Sequence, residues 1–341
     1  MCKRILASQT NTEEGVPFYK IGTIGNAPDA YISKELFDDY KTKYNYPHKG
    51  EVMITCAGTV GKCVIYDGKD AYYQDSNIVW IDNPSQCISN SFLYHLLAKV
   101  DWRKLNSTTI IRIYNDDLRN LKLSYPQIEE QKKISRLLSL LDERIATQNK
   151  IIDKLQSLIK GISSRIFASI QGIEYRMGDI VTITNGNSNV QDAVTQSKDG
   201  LYPFFDRSED IKYLPTFLFD KEAIIYPGEG TEFMPRYFKG KFALHQRCYA
   251  IFDFNEIINA RFLYFYLKTR NSYFVKNAVG STVPSLRLDT FQKLKVIIPP
   301  TKTQHSVSSC LSSMEQKCNV EKKILYKLLN QKQYLLRQMF I

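Results

Sequence analysis

Two proline-initiated stretches decide the fold of this chain of 341 residues. They read Pro126-Gln127-Ile128-Glu129-Glu130-Gln131-Lys132-Lys133-Ile134 and Pro299-Pro300-Thr301-Lys302-Thr303-Gln304, and aligning their first prolines gives an offset of 173 residues. The same offset also pairs Asp116 with Asp289, Leu121-Lys122 with Leu294-Lys295, Leu155 with Leu328 and Phe167 with Phe340. Upstream the offset falls to 170, where Phe92-Leu93-Tyr94 matches Phe262-Leu263-Tyr264. A period this long exceeds the roughly 20 to 50 residues of solenoid repeats, and it predicts two copies of a domain followed by a helix.

The segments that follow the two stretches, 127–167 and 301–341, lack internal proline and carry apolar residues three and four apart, as coiled coils do. The first seam is Ile134, Leu138, Leu141, Ile145, Gln148, Ile152 and Leu155, and the second is Val307, Leu311, Met314, Cys318, Glu321, Leu325 and Leu328. Because one apolar stripe needs a partner, we predict that the helices pack on one another in antiparallel fashion. The alternative is that each helix lies separately on its own globular domain and the two do not pair.

One seam position is polar in both helices, Gln148 in the first and Glu321 in the second, and each lies near the middle of its helix. We predict that these side chains meet and fix the register of the pair, as single polar seam residues do in coiled coils. In the alternative, both point into solvent where the seam widens.

The remaining segments, 1–126 and 168–300, are predicted to be two mixed domains, which makes the chain α+β with the order domain, helix, domain, helix. Short runs rich in β-branched and aromatic residues predict strands at 51–55, 63–66, 77–81 and 223–226. Apolar residues at helical spacing predict helices at 91–99 and 259–269.

Composition indicates an ordinary globular protein. The hydrophobic fraction is 43%, and we find neither an apolar run long enough for a bilayer nor a leader at Met1, which predicts a cytoplasmic protein without a membrane partner. Seven cysteines without a C-x-x-C pair argue against disulfides and zinc, so we expect reduced, packed thiols.

A search for catalytic motifs predicts no catalytic residue and no metal site. The stretch Gly58-Thr59-Val60-Gly61-Lys62-Cys63 lacks the spacing of a phosphate-binding loop and predicts a hairpin turn. Asp67-Gly68-Lys69 fits a nuclease D-x-K element but is also a strong turn signal. Adenine methyltransferase motifs are absent, and the four histidines (His48, His95, His245 and His305) are scattered, so surface or structural roles are expected.

The sequence favours a nucleic-acid surface. The net charge is +11, aromatic residues make up 12% of the chain, and two corresponding loops, 106–112 and 280–287, combine Ser, Thr and Arg. Arginine can grip a guanine edge, whereas Lys, Ser and Thr position a protein on phosphates. In the alternative, such loops are plain solvated turns. The predicted DNA-binding residues are Lys62, Ser107, Thr108, Thr109, Arg112, Arg207, Arg236, Lys239, Lys241, Arg247, Ser281, Thr282 and Arg287.

This arrangement resembles the specificity subunit of type I restriction-modification systems. The likeness covers nearly the whole chain and rests on the doubled order of parts, the two helix openings, the closings at Phe167 and Phe340, and the domain opening Tyr175-Arg176-Met177-Gly178-Asp179-Ile180. It implies two target recognition domains that read a split site on double-stranded DNA. It also implies an antiparallel helix pair that docks two methyltransferase subunits, which carry S-adenosylmethionine, with endonuclease and translocase subunits joining for restriction.

The sequence departs from this pattern in its first domain. Phe167 is followed by 35 residues before Pro203, whereas only 16 residues precede the similar Pro17, so the first domain is expected to lack an opening strand. This pattern would result from an incomplete target recognition domain, from a shortened reading frame or from a variant that arose by recombination. The rival functional interpretations are an adaptor protein whose domains bind protein and a standalone DNA enzyme.

Overall fold

The computed structural model describes residues 1–74, 77–105 and 112–339. Their contacts divide the chain into two compact units, Met1–Gln148 with Ile324–Ile341, and Asn149–Lys323. We call these the first and the second unit. The predicted domain limits (1–126, 127–167, 168–300 and 301–341) remain predictions.

The first unit contains two small sheets. Their strands and the helices between them are β1 (Val16–Tyr19), β2 (Tyr31–Ile32), α1 (Lys34–Lys43), β3 (Val52–Thr55), β4 (Cys63–Ile65), β5 (Tyr72–Tyr73), β6 (Ile78–Ile81), α2 (Asn90–Lys99) and α3 (Asn115–Arg119). One sheet has the order β2-β1-β5 with β1 and β5 parallel, and the other has the antiparallel order β4-β3-β6. The long helix α4 (Ile128–Ser169) begins here.

The second unit repeats and enlarges this plan. Its elements are β7 (Ile173–Arg176), α5 (Met177–Ile180), β8 (Thr182–Asn185), β9 (Tyr202–Phe205), β10 (Lys212–Leu214), β11 (Phe219–Pro227), β12 (Arg236–Leu244), β13 (Cys248–Phe252), α6 (Ala260–Lys268), α7 (Asn271–Asn277), α8 (Leu288–Gln292), β14 (Lys295–Ile298) and α9 (Thr301–Met339). Six strands form one sheet in the order β10-β9-β12-β11-β13-β8, and β14 pairs with β7. The counterparts of β14 in the first unit, residues 122–125, form no strand.

The predicted elements correspond closely to the observed ones. The four predicted strand runs contain β3, β4, β6 and the centre of β11, and the two predicted helices are α2 and α6. The Gly58–Cys63 stretch belongs to the connection between antiparallel β3 and β4, as predicted. Gly61 is required there because its φ is +83° and an added Cβ would lie 2.2 Å from Cδ1 of Trp102.

Two repeated glutamines anchor the long helices to their domains. Gln131 Oε1 accepts the backbone N–H of Ser89 at 2.8 Å, and its Nε2 donates to the carbonyls of Cys87 and Pro126. Gln304 makes the same three bonds, with the N–H of Asn259 and the carbonyls of Ile257 and Pro299. Both side chains are fully buried, so the internal repeat extends to individual hydrogen bonds.

The seam residues face inwards in both long helices. Buried members are Leu138, Leu141, Gln148, Ile152, Leu311, Cys318, Glu321 and Leu328, and half-buried members are Ile134, Ile145, Leu155, Val307, Met314 and Leu325. The alternative that Gln148 and Glu321 point into solvent is therefore wrong, because each is only 7% exposed. Glu321 forms an ion pair with Lys317 at 2.6 Å, and a contact between Gln148 and Glu321 stays a prediction.

Each long helix packs both on its own domain and on the other long helix. In the first unit, Leu138 lies in one apolar cluster with Phe92 and Leu96 of α2 and with Leu335 and Leu336 of α9. In the second unit, the end of α4 and the start of α9 share the core that surrounds α6. The predicted pairing of the helices therefore holds, each helix also packs on its own domain, and the predicted α+β architecture with two long paired helices is confirmed.

Candidate nucleic-acid interface

Both units carry basic side chains at the same place in the repeated fold, the carboxyl end of a parallel strand pair. In the first unit this pair is β1 and β5, and the N–H of Gln74 donates to the carbonyl of Tyr19 at 2.9 Å. In the second unit it is β9 and β12, and the N–H of His245 donates to the carbonyl of Phe205, also at 2.9 Å. The chain that leaves these strand ends therefore occupies equivalent positions in both units.

A second backbone contact is repeated just after the two predicted loops. The N–H of Ile113 donates to the carbonyl of Cys56 at 2.9 Å, and the N–H of Leu286 donates to the carbonyl of Gly228 at 2.8 Å. Arg112 and Ser285 immediately precede these two anchors, so they stand at equivalent positions of the repeat. Residues 106–111, including Ser107, Thr108 and Thr109, lie outside the described residues.

In the second unit, two exposed arginines lie beside one carboxylate. Nη1 of Arg247 is 2.5 Å from Oε1 of Glu229, and Nη1 of Arg207 is 4.0 Å from Oε2 of the same residue. The arginine side chains are 63% and 69% exposed, whereas that of Glu229 is 14% exposed. The guanidinium groups are therefore accessible to a ligand. Sequence reasoning missed Glu229, although the Pro-Gly-Glu-Gly stretch that holds it is a turn signal.

Neighbouring side chains complete a cleft of about 520 Å³ around these arginines. Nδ1 of His245 accepts the N–H of Arg247 at 3.2 Å, and burial lowers the pKa of His245. Asp206 is buried and is held by Nζ of Lys212 at 2.6 Å. Ser281, Thr282 and Arg287 are exposed but do not line this cleft; they belong to the loop that pairs with Glu229 through Ser285.

Three further predicted residues of the second unit, Arg236, Lys239 and Lys241, also do not line this cleft. Arg236 is half-buried, and its guanidinium donates to the carbonyl of Asp206 at 2.5 Å and stacks on Phe205. Burial lowers the pKa of Arg236. Lys239 and Lys241 are exposed on β12, and Nζ of Lys241 lies 4.8 Å from the centre of the Phe217 ring. The structure thus gives Arg236 a position that supports Asp206 and leaves the two lysines on a separate strand surface.

In the first unit, Arg112 lines a cleft of about 450 Å³ with two cations that the sequence analysis did not identify, Arg4 and Lys20. Gln74 and Asn77 supply polar groups to the same cleft. Lys62 lies outside it, in the β3–β4 connection, where its N–H donates to Oγ1 of Thr55. Arg4 and Lys20 are distant from Arg112 in sequence, which explains why no local pattern revealed them.

The other predicted features have ordinary positions. Asp67 and Lys69 pair with each other in an exposed turn, and among the described residues no cluster of His, Cys, Asp or Glu could hold a metal ion. Cys87 and Cys310 are exposed, so the prediction that the thiols are packed is wrong for these two. Within the described ranges, none of the helices has the length and apolar character needed to cross a membrane.

Comparisons with known proteins agree with this architecture. The family model of the type I restriction modification DNA specificity domain matches residues 1–157 and 173–330. The chain is 47% identical over 165 residues to a putative type I restriction enzyme specificity subunit, S.HindORF215P, of Haemophilus influenzae, covering 48% of this chain and 42% of that protein. It is 28% identical over 138 residues to the EcoDI specificity subunit of Escherichia coli, covering 40% of this chain and 30% of that subunit. The matches therefore span less than half the length of these relatives.

Solved structures show the same fold. The type I restriction-modification S subunit from M. genitalium superposes with a TM-score of 0.68 at 18% identity, covering 100% of this chain and 92% of that one. A chain from a structural study of type I system assembly and conformational transition superposes with a TM-score of 0.53 at 14% identity, covering 96% and 92%. Because the family model matches most of its length, the chain belongs to the type I restriction-modification DNA specificity family.

Proposed function

We propose that this chain is the sequence-reading subunit of a type I restriction-modification complex and recognises a bipartite site on double-stranded DNA. The observation that carries the proposal is the pair of basic clusters at equivalent positions, Arg207 with Arg247 in one unit and Arg4, Lys20 and Arg112 in the other. Each cluster combines cations with hydrogen-bonding side chains, as phosphate positioning and base reading both require. Two similar readers on one chain fit a site of two half-sequences.

The chemistry of modification belongs to partner subunits in this proposal. Two methyltransferase subunits would carry S-adenosylmethionine and flip the target adenine, and endonuclease and translocase subunits would act in restriction. The chain itself would perform no catalysis and would act in the cytoplasm. Exposed apolar residues on the long helices supply docking area for such subunits, and they include Leu137 and Leu140 in the first unit and Leu158 in the second.

Copurification combined with DNA binding tests this proposal. The full chain should copurify with methyltransferase subunits, and the complex should bind a preferred duplex with an affinity that falls steeply as salt rises. Partners without DNA binding would instead support an adaptor protein, and turnover by the isolated chain would support an enzyme. Either result would contradict the proposed function.

A further inference from the structure

The Glu229 carboxylate lies within ion-pair distance of Arg247 and Arg207 while it is itself largely buried. The closest atoms are 2.5 Å apart for Arg247 and 4.0 Å apart for Arg207. A carboxylate with two neighbouring cations usually serves stability, but here the cations are more than half exposed and the acid is not. Exposed ion pairs contribute little to stability, roughly 0 to 1 kcal/mol, so a structural role explains this arrangement poorly.

The backbone around Glu229 is fixed from both sides. The N–H of Gly228 donates to the carbonyl of Arg247 at 2.9 Å, and the N–H of Gly230 donates to the carbonyl of Pro284 at 3.0 Å. An added Cβ at Gly228 would lie 2.1 Å from the carbonyl oxygen of Arg247, so the two strand ends must approach through glycine. The backbone at Glu229 therefore has a defined position relative to that of Arg247.

A fixed negative charge changes which DNA group an arginine contacts. A phosphate carries a full charge that Glu229 repels, whereas the N7 and O6 acceptors of guanine carry only partial charges. The carboxylate also holds the guanidinium of Arg247 in one orientation, which lowers the entropic cost of a bidentate contact. Both effects favour base edges over phosphates.

We propose that Glu229 is a positioning residue for sequence discrimination, which directs Arg247 and Arg207 to base edges and weakens their contacts with phosphate. This inference rests on the proposed DNA recognition. It assigns to an acidic residue a role in DNA specificity that its charge alone would not suggest.

The test compares Glu229→Gln with wild type as full chains in complex with their methyltransferase subunits. The probes are a duplex that the wild-type complex selects from a random-sequence library and a shuffled duplex of the same composition. We expect Glu229→Gln to bind the shuffled duplex more tightly and to lose roughly tenfold in the ratio of the two affinities, the size of one base contact. The slope of log affinity against log salt should steepen by about one, because a further phosphate is neutralised. Glu256→Gln removes the same charge from an exposed position of the same unit and should leave the ratio unchanged.

An unchanged affinity ratio in Glu229→Gln would overturn the inference. Equal weakening on both duplexes would do so too, because it would assign Glu229 a structural role. The proposed function fails in a different way, namely when wild type itself binds the selected and shuffled duplexes equally.

Discussion

The arginines of the second unit differ in what already binds them. Arg236 is half-buried and bonded to the carbonyl of Asp206, so little of its guanidinium is available to a ligand. Arg247 shares a carboxylate with Arg207 and is 63% exposed. Both kinds of arginine lie in similar aromatic and basic stretches of sequence. Only their exposure and their hydrogen-bond partners in the structure therefore distinguish the available arginines from the unavailable one.

Removing Arg247 should weaken binding to one half-site only. Arg247→Ala is expected to cost about 1 to 3 kcal/mol on the selected duplex if the guanidinium grips a base edge, and we predict the same for Arg287→Ala. Binding to duplexes mutated singly in each half-site measures the effect. Lys276→Ala removes an exposed cation from α7 and serves as the control. Equal loss on specific and random DNA would show a phosphate contact instead, and no loss would remove the arginine from the interface.

We predict that His95 makes the first unit sensitive to acid. It is 1% exposed, and burial lowers its pKa to about 4, whereas the ordinary value is about 6.5. The neutral form is therefore favoured in the folded state, so its stability contribution is complete above about pH 6.5 and is lost as pH falls towards 4. A shift of this size corresponds to roughly 3 kcal/mol.

His95→Gln cannot take up the proton, so its free energy of unfolding should depend less on pH between 6.5 and 4. Urea unfolding at several pH values measures this slope. The exposed His305→Gln is the matched control and should retain the wild-type slope. A wild-type slope in His95→Gln would show that other groups cause the acid sensitivity.

At the scale of elements, the repeated glutamines connect each long helix to the domain before it. Gln131→Ala and Gln304→Ala each remove three hydrogen bonds between a fully buried side chain and backbone groups that are mostly partly buried. We expect a loss of about 1 to 3 kcal/mol for each, since the partner groups lose hydrogen bonds that a fully buried side chain provides. The change in urea midpoint measures it, and Gln316→Ala, exposed on α9, should have little effect. A wild-type midpoint in both variants would contradict the anchoring role.

The elements were largely predictable, and the candidate site was only partly so. Periodicity in the long helices and β-branched runs such as Ile78–Ile81 are local signals, and both located the right elements. The offset of the internal repeat changes from 173 to 170 residues because loops of unequal length connect the repeated elements. The clefts could not be predicted, because Arg4, Lys20 and Arg112 meet only through tertiary packing. Glu229 was missed for the same reason, since its partners follow or precede it by about 20 residues.

At the scale of the whole molecule, the charge lies mainly in the helices. Segments 1–126 and 168–300 carry net charges of only +1 and +2, against +3 for 127–167 and +5 for 301–341. DNA reading in this account therefore depends on local clusters and not on overall charge. Long-range attraction from the basic helices would raise the association rate with DNA.

The long helices should act as the ruler between the half-sites. Inserting four residues beside Gln148 and beside Glu321 lengthens each helix by about 6 Å and preserves the seam approximately, as a stutter does. The recognised site should keep both half-sequences and gain one or two base pairs of spacer. Methylation mapping of the modified site measures the spacer, and an unchanged spacer would contradict the ruler.

The most direct test of the central claim maps DNA methylation genome-wide in cells that contain the methyltransferase subunits, with and without this chain. The account predicts adenine methylation at a split motif, two short half-sequences separated by a spacer of fixed length and variable sequence, which disappears when the chain is removed. Methylation that persists unchanged without the chain, or that falls on a continuous motif, would contradict it.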